Sequence, residues 1–292
     1  LKFFFFIKIK NLNNVVFFLS ILSTFIFLLL KDINLINGLR YYRGGGDGLF
    51  HEFQGYEIVR NLYNFNFSEA LRGGENYFYN MPGLRYFISI NKIFFGETAY
   101  GYIIVGILLP FFLFNLLSNL ISTKISFYLI LSFFFLPVFE NMGFAHFNYI
   151  HQIVRNHAET LAILFIIFSL SKLTNQKFIE SKNAFFVFFI CLLLSLSTFC
   201  RPNFFPSTLL IFIYLILFYR KDLTIILSAT IGYSFIFLSF IHNIYFSESL
   251  SFFTRSDIHF AFNDIFYNLN SINENNIIFE QFLKWNPYYN FH

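Results

Sequence analysis

The sequence predicts an all-α, polytopic membrane protein of about seven transmembrane helices, with two interfacial helices in a long first outside loop. Three observations predict it. Of 292 residues, 57% are apolar, 24% are aromatic and only 12% are charged, against roughly 25% charged in an average soluble domain. Fifty Phe beside one Trp and two Met exceed what a water-facing surface holds. Apolar runs near the ~20 residues that cross a bilayer recur along the chain, and the Lys residues collect between alternate runs. A soluble enzyme, a disordered chain and a disulfide framework are excluded. Cys191 and Cys200 lie nine positions apart in one helical run, about 13 Å from each other, too far to pair.

Seven runs qualify as spans: 12–30, 98–117, 125–139, 158–173, 184–200, 203–219 and 223–241. The shorter ones are lengthened by flanking Lys residues that snorkel. The first follows a basic start with no small-residue cleavage site after it, and so reads as an uncleaved signal anchor. With the N-terminus inside, the inside segments and adjoining helix ends carry Lys2, Lys8, Lys10, Lys124, Lys172, Lys177, Lys182, Arg220 and Lys221, whereas the short outside loops carry Arg155 and Arg201. That bias sets the orientation.

The apolar stretch 82–95 is too short to span and contains Arg85, Asn91 and Lys92. If it crossed, every later Lys-bearing loop would move outside, so it is expected to lie in the interface. The first outside loop, 31–97, holds seven acidic residues: Asp32, Asp47, Glu52, Glu57, Glu69, Glu75 and Glu97. Within it, 48–63 places Leu49, Phe53, Tyr56, Val59 and Tyr63 at helical spacing, which predicts a second interfacial helix. The second outside loop is 140–157. Residues 1–247 thus form one membrane module. Residues 248–292 read as the start of an outside segment, and because the chain opens on Leu1 and stops abruptly, a further C-terminal portion is expected.

The cores of these spans contain no Asp, Glu, Lys, Arg or His, unlike ion-coupled transporters, so the chemistry is expected in the outside loops. The first cluster is Arg43-Gly44-Gly45-Gly46-Asp47-Gly48. Asp47 there is equally suited to cap a helix and to serve as a carboxylate at the membrane surface that takes a proton or binds a cation. The glycines are no P-loop, since Lys-Ser/Thr and a preceding strand are missing. The second cluster is Arg155-Asn156-His157-Ala158-Glu159, in which Glu159 suits the helix dipole as well as it suits catalysis. His146, His151 and His157 lack the i, i+4 spacing of a helical zinc pair. The third is Arg201-Pro202-Asn203, where Arg201 suits a lipid headgroup or a leaving phosphate.

An acidic residue early in the first outside loop is followed by a surface helix and then by Gly73-Gly74-Glu75-Asn76-Tyr77-Phe78-Tyr79-Asn80-Met81-Pro82-Gly83-Leu84-Arg85-Tyr86-Phe87 and Phe94-Phe95-Gly96. Over roughly residues 10–245 this layout resembles the GT-C superfamily of polytopic glycosyltransferases, which includes protein O-mannosyltransferases, the aminoarabinose transferase of lipid A and the oligosaccharyltransferase catalytic subunit. The resemblance implies a seven-span module with two juxtamembrane helices. It makes Asp47 the first-loop catalytic acid and Glu159 the second-loop acidic site, a candidate ligand for a divalent metal (Mg or Mn). The superfamily's second acid after Asp47 is replaced here by Gly48, and Glu52 is the nearest substitute.

The expected function is transfer of a sugar from a polyprenyl-phosphate donor to a glycan, lipid or protein acceptor on the outer face of a bacterial inner membrane. Asp47 and Glu52 are the catalytic candidates, and Arg155, His157 and Arg201 the substrate-binding ones. No nucleic-acid partner is expected. The alternatives are a non-catalytic polytopic protein or lipid-linked glycan flippase, and an O-antigen polymerase or ligase.

Overall fold

The computed structural model describes residues 12–31, 46–76, 81–98, 100–139, 143–175, 178, 180 and 183–247. The described chain is mostly helical, with a single pair of short strands. Three stretches, Leu12–Leu30, Tyr100–Leu120 and Leu223–Ser247, are long and apolar enough to cross a membrane. The elements are α1 (Leu12–Lys31), α2 (Gly46–Tyr63), α3 (Phe67–Arg72), α4 (Gly83–Phe95), α5 (Tyr100–Leu120), α6 (Thr123–Phe135), β1 (Pro137–Phe139), β2 (Gly143–Phe144), α7 (Ala145–Val154) and α8 (Ala158–Leu173). After these come α9 (Ala184–Cys200), α10 (Phe205–Phe218), α11 (Leu223–Tyr233) and α12 (Leu238–Ser247), with single 3₁₀ turns before α10 and between α11 and α12.

The remaining apolar helices fall short of a span. The run expected to cross at 125–139 is a 13-residue helix, α6, about 20 Å long against a hydrocarbon core of ~30 Å. Ser122 caps its start by accepting from the Ile125 amide, and the backbone turns extended at Leu136, the residue that Pro137 keeps out of the helical region. The chain then doubles back through β1 and β2, paired antiparallel, into α7. Neither the hairpin nor α7 is visible in the apolar pattern. Helices α8, α9 and α10 have 16, 17 and 14 residues. The last apolar run continues past 241 to Ser247. The expected interfacial helices at 48–63 and 82–95 are α2 and α4, each within two residues of the expected bounds. The expectations for 1–11 and 248–292 lie outside the described residues.

Helix α1 packs on α5, α5 on α8, α8 on α9 and α9 on α11; α6 and α7 fill the space beside α5, and α10 lies along α9 and α11. Side-chain hydroxyls tie the helices together where no water competes. Ser20 donates to the Ile107 carbonyl and Ser197 to the Ala162 carbonyl, and Thr198, Thr208 and Tyr233 share one buried hydroxyl chain. Pro110 in α5 has no N–H to offer the carbonyl four residues back. That carbonyl, of Gly106, is met instead by Nε2 of His146 at 3.1 Å. Because a carbonyl only accepts, Nε2 carries the proton, and Nδ1 accepts from Ser23 Oγ at 2.8 Å. One histidine on α7 thus joins α1 to α5.

At the end of the bundle where α5, α8 and α12 meet solvent-facing loops, α4 lies against α5, α8 and α9, and α2 lies against α4. The backbones approach closely at glycines. A Cβ on Gly83 would sit 2.7 Å from the Phe199–Cys200 backbone, and one on Gly55 would sit 2.5 Å from Ile88 Cγ2. Helix α2 buries His51, Gln54, Ile58 and Val59 and leaves Leu49, Phe53, Tyr56 and Tyr63 exposed. The apolar stripe read from the sequence therefore faces away from the protein, apart from Val59. Arg85 on α4 is fully buried and pins the chain after α3. Its Nη1 donates to the Gly73 carbonyl and its Nη2 pairs with Glu75, each at 2.8 Å, and the guanidinium stacks over Phe50. Burial lowers the Arg85 pKa and the Glu75 carboxylate opposes that.

Candidate functional site

The second outside loop begins where α7 ends. The His157 amide donates to the Gln152 carbonyl and the Asn156 amide to the Ile153 carbonyl, with Asn156 at φ 59°. This is the left-handed helix-end motif that Gly prefers and Asn tolerates. The turn aims the Asn156 side chain at α2. Its Nδ2 donates to Glu52 Oε2 at 3.0 Å and lies 3.4 Å from the Gly48 carbonyl oxygen. Glu52 is also paired through Oε1 with Lys92 of α4 at 2.8 Å, and Lys92 reaches Glu97 just before α5. Four segments meet in this one polar chain.

Asp47 lies in the first turn of α2, which begins at Gly46. It therefore sits one residue inside the helix rather than at the expected cap position, where the dipole still favours a carboxylate. Its side chain, like Arg43 to Gly45, lies outside the described residues. The backbone at Gly48, one residue on, is the group that Asn156 approaches.

On the other side of Asn156, His157 is exposed at the start of α8, and Glu159 in the first turn pairs with Arg201 Nη2 at 2.9 Å. Arg201 ends α9, and its backbone N–H closes on the Ser197 carbonyl. Arg155 Nη1 lies 3.5 Å from His151 Nε2. Of the sequence-derived candidates, Glu52, Glu159 and Arg201 are thus in direct contact with loop or helix partners, Arg155 and His157 flank Asn156, and the helix turn bearing Asp47 adjoins the same loop.

Below Glu159 a cavity of about 620 Å³ opens between α5, α6, α7 and α8. Leu109, Leu113, Phe133, Ile163 and Ile167 form apolar walls; Asn148, Gln152, His157, Glu159 and Thr160 supply polar atoms. Leu113 is 13 residues into α5, about 20 Å along that helix. The lining is mostly apolar.

Among the described residues no three of His, Cys, Asp and Glu come together to hold a metal ion, and the Glu159 carboxylate faces a guanidinium. Glu159 is the described carboxylate that would hold a hard cation here, and in this structure it is paired with Arg201. The sequence named Asn156 and Lys92 but did not signal that both meet Glu52, and it did not single out Asn148 or Gln152. The only signal for Asn156 was its place between one helical run and the next. No family model, curated protein or solved structure matches the chain.

Proposed function

We propose that the protein is a polytopic membrane glycosyltransferase that moves a sugar from a polyprenyl-phosphate donor to an acceptor hydroxyl on the outer face of the membrane. In this topology α6, α8, α9 and α10 cross together with α1, α5 and the α11–α12 unit, giving seven spans with the N-terminus inside, and α2 and α4 lie in the outer interface. What supports the reading is one contact set: Asn156 ties the start of α2, which bears Asp47, to the α7–α8 turn, Glu159 lies two residues beyond that turn in α8, and Glu159 pairs with Arg201 at the end of α9. The mostly apolar cavity, with His157 and Glu159 among its lining residues, opens beside the same loop.

The chemistry follows from these residues. Asp47 takes the acceptor proton as the acceptor oxygen bonds to the anomeric carbon. The bond from that carbon to the phosphate oxygen breaks, and its electron pair leaves with the phosphate. Arg201 and Arg155 offset the growing negative charge. Inversion at carbon is what the family resemblance implies.

The test is transfer from a polyprenyl-phosphate sugar in membranes holding the protein. Asp47→Asn keeps the shape, gives up only about 0.3–1 kcal/mol of helix-dipole stabilisation and removes the base, so transfer is expected to fall by ~10²–10⁴-fold with the protein still folded and inserted. Near-normal transfer by this variant would remove Asp47 from the mechanism. Wild-type protein that never transfers but moves the intact donor across vesicles would favour the flippase alternative.

A further inference from the structure

We infer that Asn156 is a positioning residue: its side-chain amide, not its backbone turn, holds the start of α2 in register with the second outside loop, and Glu52 is the anchor it holds. The inference rests on the proposed transfer reaction, and its test separates the two. Asn156 is almost fully buried, 3% exposed, yet it belongs to a loop between two helices. Two explanations compete for it. As the C′ residue of α7, Asn serves merely because it tolerates φ 59°, and Gly would serve better. As a bolt, it is needed for the Nδ2 contacts to the Gly48 carbonyl and Glu52 Oε2, partners more than 100 positions earlier in the chain.

The surroundings favour the bolt. Glu52 is held from the opposite side by Lys92, whose side chain is 8% exposed, so the carboxylate is a fixed point between α4 and the loop rather than a group free to meet substrate. A donor amide completes that point; a second carboxylate would oppose it. Asn148 and Gln152, two turns and one turn earlier on α7, line the cavity. A shift of the α7–α8 turn would therefore move the cavity and the start of α2 relative to each other. Errors of about 1 Å in such placement cost on the order of 10²-fold in rate.

Three variants in the full membrane-embedded protein decide it. Asn156→Gly keeps the left-handed turn and deletes the amide. Thermal stability in detergent is expected to hold, while kcat falls about tenfold or more with little change in donor KM. Asn156→Asp sets a carboxylate against Glu52 and should widen the distance between spin labels at Leu49 and Ile163, on α2 and α8. Adding Glu52→Gln restores a donor–acceptor pair and is expected to recover the distance. Wild-type kcat in Asn156→Gly, with the distance unchanged in Asn156→Asp, would overturn the inference. Label distances that shift and recover as expected in a protein that transfers no sugar would leave the bolt standing and sink the transferase reading alone.

Discussion

Pro110 leaves the Gly106 carbonyl without its helical donor, and His146 supplies one. An unpaired carbonyl in a buried setting costs about 1–3 kcal/mol, so His146→Leu should lower the unfolding temperature in detergent. Pro110→Ala returns the missing N–H, and the loss from His146→Leu should shrink in that background, with a coupling of about 0.5–3 kcal/mol. Independent losses would mean the two residues do not share the carbonyl. Burial also pushes the His146 pKa down from its usual 6.5 to about 4. Between these values the unfolded chain binds a proton that the folded one refuses, so stability rises with pH across the window. The wild type should therefore lose stability as pH falls from 6.5 towards 4, and His146→Leu should lose less.

At the scale of elements, two helices end in the same motif with different residues at the left-handed position. After α7 the residue is Asn156. After α2 it is Phe65, at φ 58°, where the Asn66 amide donates to the Asn61 carbonyl and the Phe65 amide to the Leu62 carbonyl. A non-Gly residue pays roughly 1–2 kcal/mol there, and the Phe65 ring, 80% exposed, recovers little of it within the protein. Phe65→Gly should thus stabilise the α2–α3 turn by up to about 1 kcal/mol, read as slower proteolysis or hydrogen exchange at residues 60–70. Destabilisation instead would show that the ring is held by something outside the chain, such as the bilayer interface that α2 faces in the proposed topology. The element boundaries were readable wherever apolar length and a stop signal coincided, as at α2, α4 and α9. The hairpin and α7 were not, because 137–157 mixes aromatic and polar residues whose placement depends on packing against α1, α5 and α6.

For the whole molecule, the positive-inside bias and the helix lengths give different counts. Among the described residues three helices are long enough to cross unaided, and the charge distribution asks for seven crossings. A reporter inserted after Lys177 should be cytoplasmic and one within residues 71–76 external. Finding both on one side would end the seven-span arrangement. In that arrangement α6, at 13 residues, must be completed by the hairpin that follows it or by a locally thinned bilayer.

The sequence by itself determined the class of the protein. Composition, apolar run length and Lys placement are one-dimensional quantities, and partition into a bilayer reads them directly. It also marked the loops at residues 43–48, 155–159 and 201–203 as the places for polar chemistry, because charges are costly anywhere deeper. Only the tertiary structure decided which of these groups meet. Glu52 and Asn156 are 104 positions apart, Glu159 and Arg201 42 apart, and no local pattern encodes a pairing across that distance. The same holds for His146: its place between Ser23 and Gly106 follows from α7 folding back into the bundle, which turns a histidine of a presumed outside loop into the hydrogen-bond donor that a proline on another helix requires.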